Sequence, residues 1–297
     1  IMEPGRPGAA VAHVAGRWVS DNHWPSDIHA LQRLHLNANG MLGNVKGSAG
    51  KCVVASPQTT GADAGEYCII WLGPEFPGDQ RRDDAGSVTF DSAPLTRDID
   101  IVGATAVQLK LSSANLAVRL NAVWPDGAVS RLSYGVLNLC HRDSHENPEP
   151  LEPGKTYTVR LQLDDVAVKV RRGQRLRISI SSSYWPLIWP TPQAPTLTLN
   201  LGTSFIDLPV RKTRPNEVAP AFAPPEAAAP VKLTVLRPAS NRRDVLVDQK
   251  TGEQLLSIVD DFGASTIDEH GLTYAAIGRE SYRIRPDDPL SAVQQCH

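Results

Sequence analysis

The chain has 297 residues, 41% of them hydrophobic and 21% charged, with a formal net charge of -2. That length is enough to bury a substantial core. The balanced charge excludes the basic footprint of a nucleic-acid binder, and no apolar run is long enough for a membrane-spanning helix, so neither nucleic acid nor membrane is an expected partner.

Residues 1–10 are rich in Pro and Gly and lack an initiator Met, which reads as the edge of a longer protein. Residues 31–36 fit a strand that turns at Asn39 and Gly40. Residues 44–84, rich in Gly, Ala and Asp, read as a long loop with one short strand over 67–72. From Ser87 onward strands follow quickly, over 88–90, 106–111, 116–124, 129–139, 157–163, 175–181 and 196–201. Turns at Pro125, Asp126 and Gly127 and at Pro153 and Gly154 punctuate them. Leu176, Ile178 and Ile180 alternate with Arg175, Arg177, Ser179 and Ser181, the period of a strand with one buried face. Tyr157, Val159, Leu161 and Leu163 repeat that pattern, as do Leu116, Val118 and Leu120. No long segment has helical periodicity. The prediction is an all-β jelly-roll sandwich, galactose-binding-domain-like, with its core over 87–210 and residues 1–86 as a connecting segment that lends it strands.

Residues 211–230 are Pro/Ala-rich and aperiodic, an expected linker or surface strap. Beyond them, strands over 231–236, 244–247, 255–260, 271–277 and 282–285 form an additional antiparallel sheet, with turns at 249–252, 261–263 and 270–271. Five short strands with one apolar face do not stand alone, so this meander over 231–297 is expected to pack on the jelly roll.

Four segments in order (residues 92–113, the turn 124–127, residues 150–163 and residues 172–186) resemble the C-terminal domain of the X-Pro dipeptidyl-peptidase and cocaine-esterase (CocE/NonD) group of serine hydrolases. The resemblance spans residues 14–201. Val14, Gly16, Trp18, Trp24 and Pro25 match the point where such chains leave the catalytic domain, and residues 283–297 resemble longer members that continue further. Members commonly carry His where this chain has Gln174. The resemblance implies a jelly roll appended to an α/β-hydrolase domain, with the catalytic triad upstream of residues 11–25. By resemblance, then, this is the non-catalytic part of an ester or amide hydrolase. Its partner would be that catalytic domain, with homo-oligomer contacts an added expectation.

The residues themselves agree on chemistry. No G-x-S-x-G elbow is present, since residues 46–50 and 202–206 each lack one Gly. No catalytic residue, cofactor or metal site is therefore expected, and the chain alone should not hydrolyse substrates. His141 and His145 would share a face of a helix and could hold zinc, but Pro148 and Pro150 place them in a solvated loop. Asp260 with Asp261 and Asp287 with Asp288 lack a calcium-loop spacing. Arg175 and Arg177 belong to a solvated or ion-paired strand face. Tyr184, Trp185 and Trp189 form an aromatic-proline patch, read as core and turn packing or as an interface or pocket rim. Open to solvent, the same rings would make a sugar-stacking platform, so a stand-alone carbohydrate-binding module is the alternative. Trp24 and Trp124 are expected in packing. Cys52, Cys68, Cys140 and Cys296 have no metal-like spacing and read as buried free thiols in a cytoplasmic protein, with a Cys52–Cys68 bridge as the alternative.

Overall fold

The computed structural model describes residues 1–27, 29–69, 73–112, 115–214 and 217–297. In chain order the first body comprises β1 (Met2–Glu3), β2 (Ala15–Gly16), β3 (His29–Asn37), β4 (Met41–Gly43), β5 (Gly50–Val54), a single α-helical turn α1 (Arg81–Ala85), β6 (Val88–Asp91) and β7 (Ile99–Ser112). It continues with β8 (Asn115–Val123), β9 (Val129–Asn138), β10 (Tyr157–Val170), β11 (Arg175–Ser181), β12 (Leu197–Leu201) and β13 (Phe205–Arg211). Among the described residues these strands form one sheet in the order β2-β1-β10-β7-β13-β3-β4-β6-β11-β8-β9, with β12 beside β5 and β7.

The sheet curls into two facing layers. One carries β10, β7, β13 and β3, the other β6, β11, β8 and β9. The curl brings β9 back against β10, where Ser133 Oγ donates to the carbonyl of Asp164 at 2.6 Å. Gly135 permits this approach, because a Cβ there would stand 2.9 Å from Leu163 Cδ2 and 3.0 Å from the Gln162 carbonyl. The alternating residues read from the sequence fill the space between the layers. Val159, Leu161 and Leu163 of β10 and Val107, Leu109 and Leu111 of β7 meet Leu116, Val118 and Leu120 of β8 and Leu176, Ile178 and Ile180 of β11. Each such side chain removed from water contributes about 1.5–3 kcal/mol. The all-β sandwich is the observed architecture.

Several elements differ from the sequence reading. Residues 44–84 contain β5 and α1. Of the strand expected over 67–72, residues 70–72 lie outside the described residues, and Tyr67 and Cys68 sit in a bend. β13 carries Pro209, whose missing N–H is tolerated because the register with β7 shifts between Asp207 and Val210. Trp24 is 64% exposed rather than packed inside. All four cysteines are free thiols, but Cys68 and Cys296 are exposed and Cys52 and Cys140 only half-buried.

Residues 217–232 run without regular structure, and Phe222 meets Trp18 with ring centroids 4.9 Å apart. The second sheet consists of β14 (Leu233–Arg237), β15 (Ser240–Val247), β16 (Gln254–Ile267), β17 (Leu272–Arg285) and β18 (Asp288–Cys296), in the order β14-β16-β17-β18 with β15 also on β16. The turn expected at 261–263 is a bulge inside the continuous strand β16, where the register with β17 shifts between Asp261 and Ala264. Leu256, Ile258 and Ile284 on one face are buried. This sheet reaches the first body through residues 58–66. Gln58 N donates to the Pro286 carbonyl at 2.8 Å, Arg243 Nη2 to the Gly65 carbonyl at 3.3 Å, and Arg243 pairs with Glu66.

Candidate functional site

β8 is buried along its whole length. One face enters the core. The other meets residues 56–69 and 73–87, which lie across β8 and β11 as a cap. The cap is strapped down by Ser56 and Ser182, whose backbone N–H groups each donate to the other's Oγ at 3.1 Å. Ser183 Oγ donates to the Gln58 carbonyl at 3.1 Å, and Trp185 N to the Thr60 carbonyl at 2.7 Å. Gly61 has φ 121°, and a Cβ there would stand 2.3 Å from the Trp185 carbonyl oxygen, so only glycine allows the cap to lie this close.

Under the cap lies a buried charged layer. Arg119 of β8 is 0% exposed. Its Nη1 donates to Gln80 Oε1 at 3.1 Å, and its Nη2 donates to Ser87 Oγ at 2.6 Å and lies 3.2 Å from Asp84 Oδ1. Asp84 also accepts from Ser179 Oγ at 2.6 Å and from Arg177 Nη1 at 2.9 Å, while Arg177 forks onto Asp91 at 2.6 and 2.7 Å. Asp83 accepts from Gly61 N at 3.0 Å and Asp63 N at 3.2 Å, and stands 3.9 Å from Arg119. Burial outweighs these partners and pushes the Asp83 carboxyl up to about 6. Of the strand face read as solvated or ion-paired, Arg177 is ion-paired, and the face is closed, with Ser179 and Ser181 fully buried. Sequence reading passed over Arg119, Asp83 and Asp84. The available signal was a charge at position 119 inside the apolar run 116–123.

The aromatic patch divides. Tyr184 and Trp185 are fully buried, Tyr184 OH accepting from Arg131 Nη1 at 2.6 Å, and Trp185 standing edge-on to Trp189 at 5.1 Å and to Tyr282 of the second sheet at 6.1 Å. Trp189 alone is open, at 56% exposed. His141 and His145 stack at 5.7 Å, His141 closing a 3₁₀ turn and His145 in the bend beyond it. Ser204 is buried, its Oγ accepting from Lys110 N and donating to the Asn200 carbonyl, while Ser48 is exposed in the loop before β5. The structure therefore brings Tyr184, Trp185 and Arg119 into one closed layer, with the Arg119 guanidinium 5.6 Å from the Tyr184 ring, and leaves the histidines and serines of interest apart. A closed layer can orient and brace, but no substrate reaches it while the cap is down.

The outer face of β10, β7, β13 and β3 is uncovered. Trp24 lays its ring against Gly103, where a Cβ would stand 3.2 Å from it, and Leu31, in register with Pro209, is 70% exposed. Trp18, 68% exposed, borders a depression with Val14 and Ala167 of β10. Arg33 and Arg160 flank Asp207 beside them.

Residues 5–223 match the family described as the X-Pro dipeptidyl-peptidase C-terminal non-catalytic domain. Cocaine esterase from Rhodococcus sp. (strain MB1 Bresler) is 24% identical over 189 residues, covering 57% of this chain and 32% of the esterase. Among solved structures, an α-amino acid ester hydrolase aligns with a TM-score of 0.53 at 22% identity, over 61% of this chain and 36% of the hydrolase. An aminopeptidase from the marine sediment archaeon Thaumarchaeota archaeon aligns with a TM-score of 0.54 at 20% identity, over 65% of this chain and 38% of that one. These likenesses show the fold. The chain spans about a third of the length of the relatives it matches. With the family matched over most of the chain and a β-sandwich as its fold, this chain belongs to the X-Pro dipeptidyl-peptidase C-terminal non-catalytic domain family.

Proposed function

We propose that this chain is the non-catalytic β portion of a serine hydrolase of ester, amide or X-Pro dipeptidyl-peptidase type, and that it completes that enzyme by seating on its α/β-hydrolase domain and walling the substrate pocket. The observation that carries this reading is the open outer face with Trp18, Trp24 and Leu31, because water-exposed rings grouped on one sheet mark a docking surface. In the parent enzyme a serine supplied by the hydrolase domain attacks the acyl carbon with a histidine as base. In this reading residues 87–210 are the sandwich core, residues 1–86 its connecting and capping segment, residues 211–230 a strap and residues 231–297 a brace on the cap. The sugar-platform alternative loses its support with Tyr184 and Trp185 enclosed. Homo-oligomer contacts fit the exposed row of Leu233, Val235, Leu272 and Tyr274, and four free thiols support a cytoplasmic setting.

The test is a fluorophosphonate label with intact-mass analysis in the native source, alongside p-nitrophenyl acetate and Xaa-Pro-anilide assays of the chain alone. A labelled species well above 32.2 kDa that contains these peptides, together with an inactive isolated chain, is expected. Saturable, serine-reagent-sensitive turnover by the isolated chain would overturn the reading.

A further inference from the structure

At one end of the β10–β7–β13 layer, Lys169 and Arg211 flank Asp100 in one cross-strand row, both in register with it. These three line a cleft of about 610 Å3 together with Arg17, Arg97, Asp98 and Lys212. Five cations therefore face two carboxylates. Asp98 is occupied by the Arg172 N–H at 2.8 Å, and Asp100 Oδ2 by Arg17 Nη2 at 2.5 Å. Behind the wall, Lys169 Nζ stands 3.2 Å from Glu3, and Arg211 Nη2 bonds Asp21 at 3.1 Å and also Glu217. Arg97 and Lys212 are exposed and carry no ion pair among the described residues.

Three polar atoms in this group are buried without a partner: Arg17 Nη1, Arg211 Nη1 and Asp100 Oδ1. The Arg211 side chain is itself wholly buried. Each of these groups is ion-paired through its other atoms, but a polar atom left buried without a hydrogen bond carries a desolvation cost, which a ligand that reaches it recovers. The unmet set is two guanidinium donors and one carboxylate acceptor. A sulfate offers acceptor oxygens only, and one of them would oppose Asp100. Hydrogen phosphate offers both kinds of group, since its charged oxygens accept from guanidinium N–H while its P–OH donates to a carboxylate.

We infer that this cleft binds hydrogen phosphate, free or as the singly protonated head of a phosphate monoester. Arg17 and Arg211 donate to the phosphate oxygens, Asp100 accepts the P–OH, and Arg97 and Lys212 draw the anion in from solvent. Water would satisfy the same three atoms without preferring any anion, and titration separates the two cases.

The experiment uses the 297-residue chain, titrated by calorimetry and 31P NMR with orthophosphate at pH 7, with sulfate at matched ionic strength, and with glycerol phosphate at pH 6. Saturable orthophosphate binding below about 10 mM is expected. Sulfate should bind at least about tenfold more weakly, because it lacks the P–OH donor. Glycerol phosphate binding would extend the site to monoesters, and its absence would confine the site to the free ion. The Arg97→Ala, Lys212→Ala double variant should lose about tenfold in phosphate affinity with an unchanged melting temperature, as both side chains are exposed and unpaired. Asp100→Asn, which keeps the shape, should abolish the preference for phosphate over sulfate. Absence of saturation, equal binding of sulfate, or a double variant that binds like the native chain would each overturn the inference. Should Asp100→Asn fail to fold, the phosphate-to-sulfate ratio of the native chain decides alone.

Discussion

Removing Asp84 is the sharpest test of the layer beneath the cap. Asp84 is the nearest carboxylate to Arg119, at 3.2 Å, and without it the next one, Asp83, stands 3.9 Å away. Arg177 loses its Nη1 bond to Asp84 but keeps its fork onto Asp91, so the damage falls mainly on Arg119 and on the Ser179 hydroxyl. Breaking a buried pair from one side costs about 3–5 kcal/mol, because the remaining charge is left in a poorly solvating interior. Against a total stability of about 5–15 kcal/mol, that is a large fraction. Asp84→Ala should therefore lower the urea midpoint steeply. The second arm removes the stranded charge as well. Arg119→Met in the Asp84→Ala background fills the same space without a guanidinium and should recover most of the loss. Tryptophan fluorescence is the assay, since Trp185 is enclosed and contacts the cap at Thr60. A loss under about 1 kcal/mol for Asp84→Ala, or a double variant no better than the single, would refute the reasoning.

Other consequences can be measured on the same protein. The Asp83 carboxyl is raised to about 6 by burial, so the folded chain holds this proton more tightly than the unfolded one; the resulting stabilisation is complete below about pH 4 and is lost as pH rises through 6. Asp83→Asn should gain on the native chain in denaturant midpoint between pH 4 and 7, and a pH-independent difference would count against it. Gly61→Ala forces a Cβ to within 2.3 Å of the Trp185 carbonyl and should cost more than about 2 kcal/mol by thermal melt. Arg243→Ala removes the Glu66 and Gly65 contacts, and limited proteolysis should then cut within residues 217–232 earlier than in the native chain. Trp18→Ser and Leu31→Ser, both on exposed side chains, should shift stability by under about 0.5 kcal/mol yet weaken co-elution with a hydrolase domain.

What the sequence made legible was the inside of the sandwich. Period-2 alternation located β8, β10 and β11 and assigned their core faces, because a strand with one apolar face declares it in every second residue. It failed where a second layer covers the other face. Ser179, Ser181 and Arg177 read as a solvated or ion-paired row, and only the fold places residues 56–69 and 73–87 on top of them. The cap was unreadable for a related reason. Its hold on the sheet runs through backbone groups and small hydroxyls, such as Ser56 with Ser182, which leave no periodic trace. Bulges hid the long strands. Asp261, Phe262 and Gly263 have the composition of a turn, but β16 passes through them with a register shift. The aromatic segment was legible as a packing motif, while the division between the enclosed Tyr184 and Trp185 and the open Trp189 depends on the cap and on Tyr282, which is distant in sequence.

The two faces of the sandwich have opposite fates, and this bears on how the unit works. On the β8 and β11 side the chain supplies its own cover twice over, first with residues 56–69 and 73–87 and then with the second sheet, whose buried Leu256, Ile258 and Ile284 face and Arg243 clasp lie against that cap. On the β10, β7, β13 and β3 side the chain lays Trp24 against Gly103 and Phe222 against Trp18, and leaves Trp24, Leu31 and Trp18 largely in water. The residues leading into β3 are also those where the resemblance marks the exit from a catalytic domain, so a domain attached there begins next to this face. Burying that surface would return about 25 cal/mol for each Å2 of apolar area removed from water, whereas a partner on the capped side would first have to displace the second sheet. Under the function proposed above, the open face is where a hydrolase domain would seat, with the covered side behind it.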